Sequence, residues 1–147
     1  GGPMLSGKLP EQIPAMCDMV LRCGNEPMRK PWAGVYHCQY STDYVMKDRY
    51  NVVSRLHPAP MNLAEIFRAA GHSVSRHSDL GWQEEVVEKV AQALIDGNPV
   101  AETVNAAYKN LLDGGVSTHA ARWTMRDALD RSVIRRALTA NEDLFLS

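Results

Sequence analysis

Proline placement constrains this chain more than any other single feature. Seven of its eight prolines fall at or before Pro60, and the only later one is Pro99. Proline fixes φ, lacks an N–H donor and disfavours helix at the residue before it. Long helices are therefore expected after Pro60, and "RLHPAP" (55–60) is expected as a boundary. On that reading residues 1–57 form an α/β-hairpin segment and residues 58–147 a helical domain. Residues 1–57 also hold all three cysteines and four of the five tyrosines.

The second part reads as four helices. "NLAEIFRAAG" (62–71) opens on Asn62 as N-cap with Glu65 three residues on, a capping-box start, and Gly71 supplies a stop. In "DLGWQEEVVEKVAQALIDG" (79–97), Trp82, Val86, Val90 and Ala93 or Leu94 form an apolar stripe. In "NPVAETVNAAYKNLLDGG" (98–115), Asn98 is the expected N-cap and Pro99 the first helical residue. Its stripe is Val100, Val104, Ala107 or Tyr108, and Leu111. The longest segment, 117–145, opens on Ser117 and turns Met125, Leu129 and Val133 inward, extended by Trp123, Ile134 and Leu138.

The first part is shorter in its patterns. Ile13, Met16, Val20 and, less regularly, Cys17 and Leu21 have helical spacing, so a helix is expected from Pro14 to Arg22. Residues 24–34 read as a loop. "GVYHCQY" (34–40) alternates as a strand, and "YVMKDRYNVV" (44–53) is expected to return beside it as a hairpin. A two-stranded hairpin is marginal alone, so it is expected to pack on the helix or extend onto a partner. The fold class is then α+β, mainly α: a small hairpin on a helix, followed by a helical bundle.

Composition bounds the function. The chain is 45% hydrophobic and 22% charged, a globular mixture. Its formal charge of −1 gives no global pull toward nucleic acid. No apolar run approaches the roughly 20 residues of a membrane span, and the N-terminal residues do not read as a signal peptide. Cys17, Cys23 and Cys38 lack zinc-like spacing and read as reduced thiols, with Cys17 buried on its helix. His72 and His77 with Asp79 make only a loose cluster, so no metal and no cofactor is expected. No phosphate-binding glycine loop, nucleophile elbow or zinc-protease motif is present in the sequence, so no complete catalytic set is expected.

Two sets of cations are candidate sites. Lys47 and Arg49 flank Asp48, and strand alternation would turn both toward one face, suited to a phosphate or to a solvated edge. Arg122 and Arg126 lie one turn apart on the last helix, which also carries Arg131, Arg135 and Arg136. They could contact nucleic-acid phosphates, or form a solvated face on which Asp127 and Asp130 pair with Arg131.

"MCDMVLR" (16–22), "VMKDRYNV" (45–52) and "PMNLAEIFRAAG" (60–71) resemble the C-terminal part of phage-encoded RecA-like P-loop nucleotide-binding proteins, some of them recombination and annealing proteins. The likeness covers residues 1–71; the family's nucleotide loop lies upstream of these segments and has no counterpart here. The resemblance implies a non-catalytic portion of a recombination protein acting in an oligomer, with Lys47 and Arg49 reaching a phosphate, in the bacterial host cytoplasm. The alternative expectation is a small phage structural or assembly protein, part of the virion, that docks onto capsid or neck components. Both expectations include a protein partner or a second copy of the chain; the first adds nucleic acid.

Overall fold

The computed structural model describes residues 12–13, 16–25, 34–38, 45–56, 58–74 and 83–146, the side chains of 141–146 excepted. Five short strands come first: β1 (Met19–Val20), β2 (Arg22–Asn25), β3 (Gly34–His37), β4 (Lys47–Asp48) and β5 (Ala59–Pro60). A single helical turn, α1 (Val53–Leu56), precedes β5. Four helices follow: α2 (Leu63–Ala69), α3 (Glu84–Ile95), α4 (Val100–Asp113) and α5 (Thr118–Leu146). The α+β, mainly helical class is as expected, and among the described residues the second part holds these four helices.

The strand pairing differs from the expected hairpin. β3 pairs antiparallel with β2 on one side and β5 on the other, while β4 pairs with β1. The expected helix 14–22 is the cause of the difference. Its beginning is helical at Ile13 and Met16, where the Cys17 N–H donates to the Ile13 carbonyl at 3.2 Å. Beyond Asp18 the chain is extended. Met19 and Leu21 alternate with Val20 as well as they fit a helix, and short apolar runs do not separate the two periods. Met19 and Leu21 pack against a cluster around Val53, Ile66 and Ile134, so tertiary burial decides for strand. The expected 24–34 loop keeps Gly24 and Asn25 in β2; residues 26–33 lie outside the described residues.

Two hydrophobic clusters meet on α5. The upper one joins Val87, Val90 and Leu94 of α3, Leu111 of α4, and Ala121, Met125 and Ala128 of α5. The lower one joins Cys38, Val52, Val53, Ala59, Ile66 and Ile134. Residues on both sides of the "RLHPAP" segment thus share the lower cluster with the last helix. The helix ends are set by familiar devices. Asn62 caps α2, accepting from the Glu65 N–H at 3.3 Å, and Ser117 caps α5, accepting from the Ala120 N–H at 3.2 Å. Gly97 (φ 96°) and Gly115 (φ 86°) end α3 and α4 in the left-handed region, where a Cβ would be strained. α4 begins one residue later than expected: Pro99, not Asn98, is its N-cap.

Several stripe residues shift. Val87 and Ala91, not Val86, are the buried members of α3 beside Val90 and Leu94; Trp82 lies outside the described residues. On α4, Val100 is exposed. On α5, Val133 is 42% exposed and Trp123 36%, while Asp127 is fully buried and Arg131 only 2% exposed. The longest helix therefore has polar groups in the core, between its two apolar clusters.

Candidate functional site

The densest constellation of chemistry surrounds that buried stretch of α5. Arg131 reaches three carboxylates from two other helices. Its Nε and Nη2 grip Glu65 of α2 side-on, at 2.9 and 3.0 Å. Its Nη1 donates to Glu84 at 2.6 Å and to Glu88 at 2.9 Å, and Nη2 also reaches Glu84 at 3.2 Å. A guanidinium has five N–H donors. These five contacts match all of them.

The periphery balances the charge. Arg68 pairs with Glu65 and donates to the Val74 carbonyl at 3.1 Å. Arg135 holds Glu88 at 2.6 and 3.1 Å. Three guanidiniums, Arg68, Arg131 and Arg135, thus face three carboxylates, Glu65, Glu84 and Glu88. Burial works against the Arg131 charge, but hydrogen bonds to Glu65 and Glu84 more than offset it and raise its pKa. The Glu88 carboxyl is held below the usual carboxylate range, first by its hydrogen bond to Arg135, against partial burial, and then by Arg131.

A second polar knot lies one turn earlier on α5. The Asn62 amide donates to Asp127 at 2.8 Å and to Asp130 at 3.0 Å, while its oxygen caps α2. Arg126 donates to the Met61 carbonyl at 2.7 Å and lies 3.7 Å from Asp130. The solvated face expected for these residues is therefore corrected. Asp127 and Asp130 serve Asn62, and Arg131 bridges helices inside the core. The Glu65 side chain does not reach back as a capping box would; it is spent on Arg131 and Arg68.

The expected phosphate cations occupy a different setting. β4 ends at Asp48, so strand alternation does not extend to Arg49. Arg49 lies in the following turn. Its guanidinium is 63% exposed and sits 2.6 Å from Asp18, and its N–H donates to the Asp18 carbonyl. Lys47 is half-buried opposite Val20. Between them, Asp48 organises the next turn: its carboxylate accepts from the Tyr50 and Ser54 N–H groups, both at 3.1 Å. Asn51 takes the left-handed conformation there (φ 54°), which asparagine tolerates better than most residues. An acid amid a strand-like run is thus explained as a turn organiser.

On α5, Arg122 is exposed and Arg126 is mostly covered, its guanidinium 4.9 Å from the Trp123 ring centre. The two nucleic-acid candidates are therefore not presented alike. His72 stacks edge-on against Tyr50 and Phe67, at 5.1 and 5.9 Å between ring centres. His77 and Asp79 lie outside the described residues. Among the described residues no group of three or more His, Cys, Asp or Glu could hold a metal. Cys38 is the buried thiol, its pKa pushed up by burial and then by Asp48; Cys17 is only half-buried and Cys23 exposed.

Two sets of residues went unread in the sequence. Glu65, Glu84, Glu88 and Arg131 come from three helices, and no spacing links them. The one available signal is that α5 has acids and arginines interrupting its apolar stripe at 127, 130 and 131. The surface cluster of Tyr50, Phe67 and His72 joins a turn to the end of α2. Tyr50 Oη lies 3.4 Å from Asp18, which ties this cluster to the Arg49–Asp18 pair. Phe67 is 36% exposed and Leu63, one turn earlier on α2, 47%.

The chain matches no family model, no curated protein and no solved structure. No helix among the described residues is long and apolar enough to cross a membrane.

Proposed function

We propose that this chain is a docking module: a small protein that binds a protein partner within a larger assembly. The observation that carries the reading is the surface cluster of Phe67, His72 and Tyr50, continued by Leu63 and rimmed by the Arg49–Asp18 pair. Aromatic side chains with an arginine at the edge are the composition of binding hot spots. Phe67 and Leu63 sit on α2, which Arg131 and Asn62 lock to the other helices, so this part of the contact surface is held rigid before binding. A preorganised surface loses less entropy on association. This favours the second sequence expectation, an assembly protein docking onto capsid or neck components of a phage particle, over the recombination expectation. In the latter, Arg49 would have to share its guanidinium between the neighbouring Asp18 carboxylate and a phosphate, two anions that repel each other.

The test places a photo-crosslinking amino acid at position 67 and, as control, at exposed position 109, in the host cell. A protein cross-linked from 67 but not from 109 is identified, purified and titrated against the chain. Saturable binding that weakens at least tenfold in Phe67→Asp supports the reading. Equal cross-linking from both positions, or binding indifferent to Phe67→Asp, refutes it. Binding of ATP or single-stranded oligonucleotide that is lost in Lys47→Ala/Arg49→Ala would establish the recombination reading instead.

A further inference from the structure

A small cleft of about 100 Å³ lies between α2 and α5. Glu65, Arg68 and Ala69 of α2 line it, with Arg131, Ile134 and Arg135 of α5. The Glu65 and Arg131 side chains are each 2% exposed and lie deep, whereas Arg68 (22%) and Arg135 (42%) reach toward solvent. Ala69 is exposed and Ile134 buried. Among the described residues, three guanidiniums and one carboxylate therefore share the lining, a surplus of positive charge. Glu84 and Glu88, which neutralise the wider network, do not line the cleft; both are about half-exposed, so solvent screens them. Guanidiniums gathered at one point repel one another, and the buried Ile134 wall strengthens that field.

The hydrogen-bond donors divide in a telling way. Arg131 gives all five of its own to Glu65, Glu84 and Glu88. Arg68 gives one to Glu65 and one to the Val74 carbonyl, and Arg135 gives two to Glu88. A guanidinium has five N–H donors, so Arg68 and Arg135 can each serve a further acceptor. Size narrows the acceptor. A water takes about 30 Å³ of liquid, so the cleft has the room of about three waters. That suits one small oxyanion, whereas pockets for larger ligands run to about 300–1,000 Å³. A tetrahedral oxyanion brings several acceptors to one point, as charge-assisted bonds from two arginines require. A phosphodiester within a strand, flanked by two sugars, is too bulky.

We infer that this cleft binds a single phosphate group, free or carried by a small monoester. Arg68 and Arg135 donate to its oxygens, and Arg131 supplies charge from below. The bound phosphate relieves the repulsion among the three guanidiniums and ties α2 to α5. The site is separate from the docking cluster and does not depend on it.

Isothermal titration calorimetry of the full chain with sodium phosphate, at constant ionic strength, tests the inference. Saturable one-to-one binding is expected. Ala69→Glu sets an acid at the exposed mouth without touching the core, and should weaken binding at least tenfold. Arg135→Gln should do the same, since it removes a donor whose partner Glu88 is half-exposed and rehydrates; circular dichroism checks that both variants fold. Lys47→Ala/Arg49→Ala should leave binding unchanged. A parallel titration with glycerol phosphate separates the two sources: tighter binding than inorganic phosphate points to a monoester, weaker binding to the free ion, and either supports the site. Neither ligand giving saturable heat overturns the inference. So does binding unaffected by Ala69→Glu, or binding lost in Lys47→Ala/Arg49→Ala.

Discussion

Replacing Arg131 by methionine should be among the most damaging single changes in this chain. Glu65, whose side chain is 2% exposed, would lose its side-on partner and keep only Arg68. Breaking a buried pair by removing one member costs about 3–5 kcal/mol, because the remaining charge has no water to return to. Glu84 and Glu88 are 48% and 47% exposed, so they rehydrate and add little. Against a total stability of about 5–15 kcal/mol, the loss is a large fraction. At about 2–4 °C per kcal/mol for a chain of this size, it corresponds to a fall in melting temperature of roughly 6–20 °C. Urea unfolding is the assay, with the midpoint shifting at constant m. Arg131→Met combined with Glu65→Gln should recover much of the loss, because the stranded charge is gone. A single-variant cost under about 1 kcal/mol, or a double variant no better than the single, would refute the view that Glu65 depends on Arg131.

Three further outcomes follow from the same geometry. Asn62→Ala removes an N-cap, worth about 1 kcal/mol, and strips an amide from two buried carboxylates, worth about 1–3 kcal/mol more; urea unfolding should show the sum. The folded Glu88 pKa lies below its unfolded value. Its contribution is therefore complete above the unfolded carboxylate range and lost as pH falls through the folded pKa; Glu88→Gln should flatten the acid limb of a stability–pH profile. Asp48→Ala leaves the Tyr50 and Ser54 N–H groups without their acceptor, so amide hydrogen exchange at 50–54 should accelerate while α3 and α4 keep their protection.

The helical half was legible because its signals are local. Asn62, Ser117, Gly97 and Gly115 act on their own turns, and the four helices follow. The first half was not, because Met19, Val20 and Leu21 satisfy two periods at once and only pairing with distant strands chooses between them. Arg131 was misread for a related reason. An arginine in a helix is ordinarily solvated, and what buries this one is Glu65, Glu84 and Glu88, distant in sequence and brought together by packing alone. Asp48 shows the reverse case: an acid in the middle of a strand-like run is satisfied by backbone groups two and six residues on.

Fluorescence anisotropy of a labelled single-stranded oligonucleotide, titrated with the chain at physiological salt, asks most directly whether the arginines are turned inward to hold helices together. With Arg131, Arg135 and Arg68 committed to carboxylates between helices, and Arg49 offset at the surface by Asp18, the anisotropy should stay flat into the high micromolar range, for the wild type and for Arg122→Ala alike. Saturable micromolar binding, with a salt dependence that drops when Lys47 and Arg49 or Arg122 and Arg126 become alanine, would show that these cations serve phosphates instead.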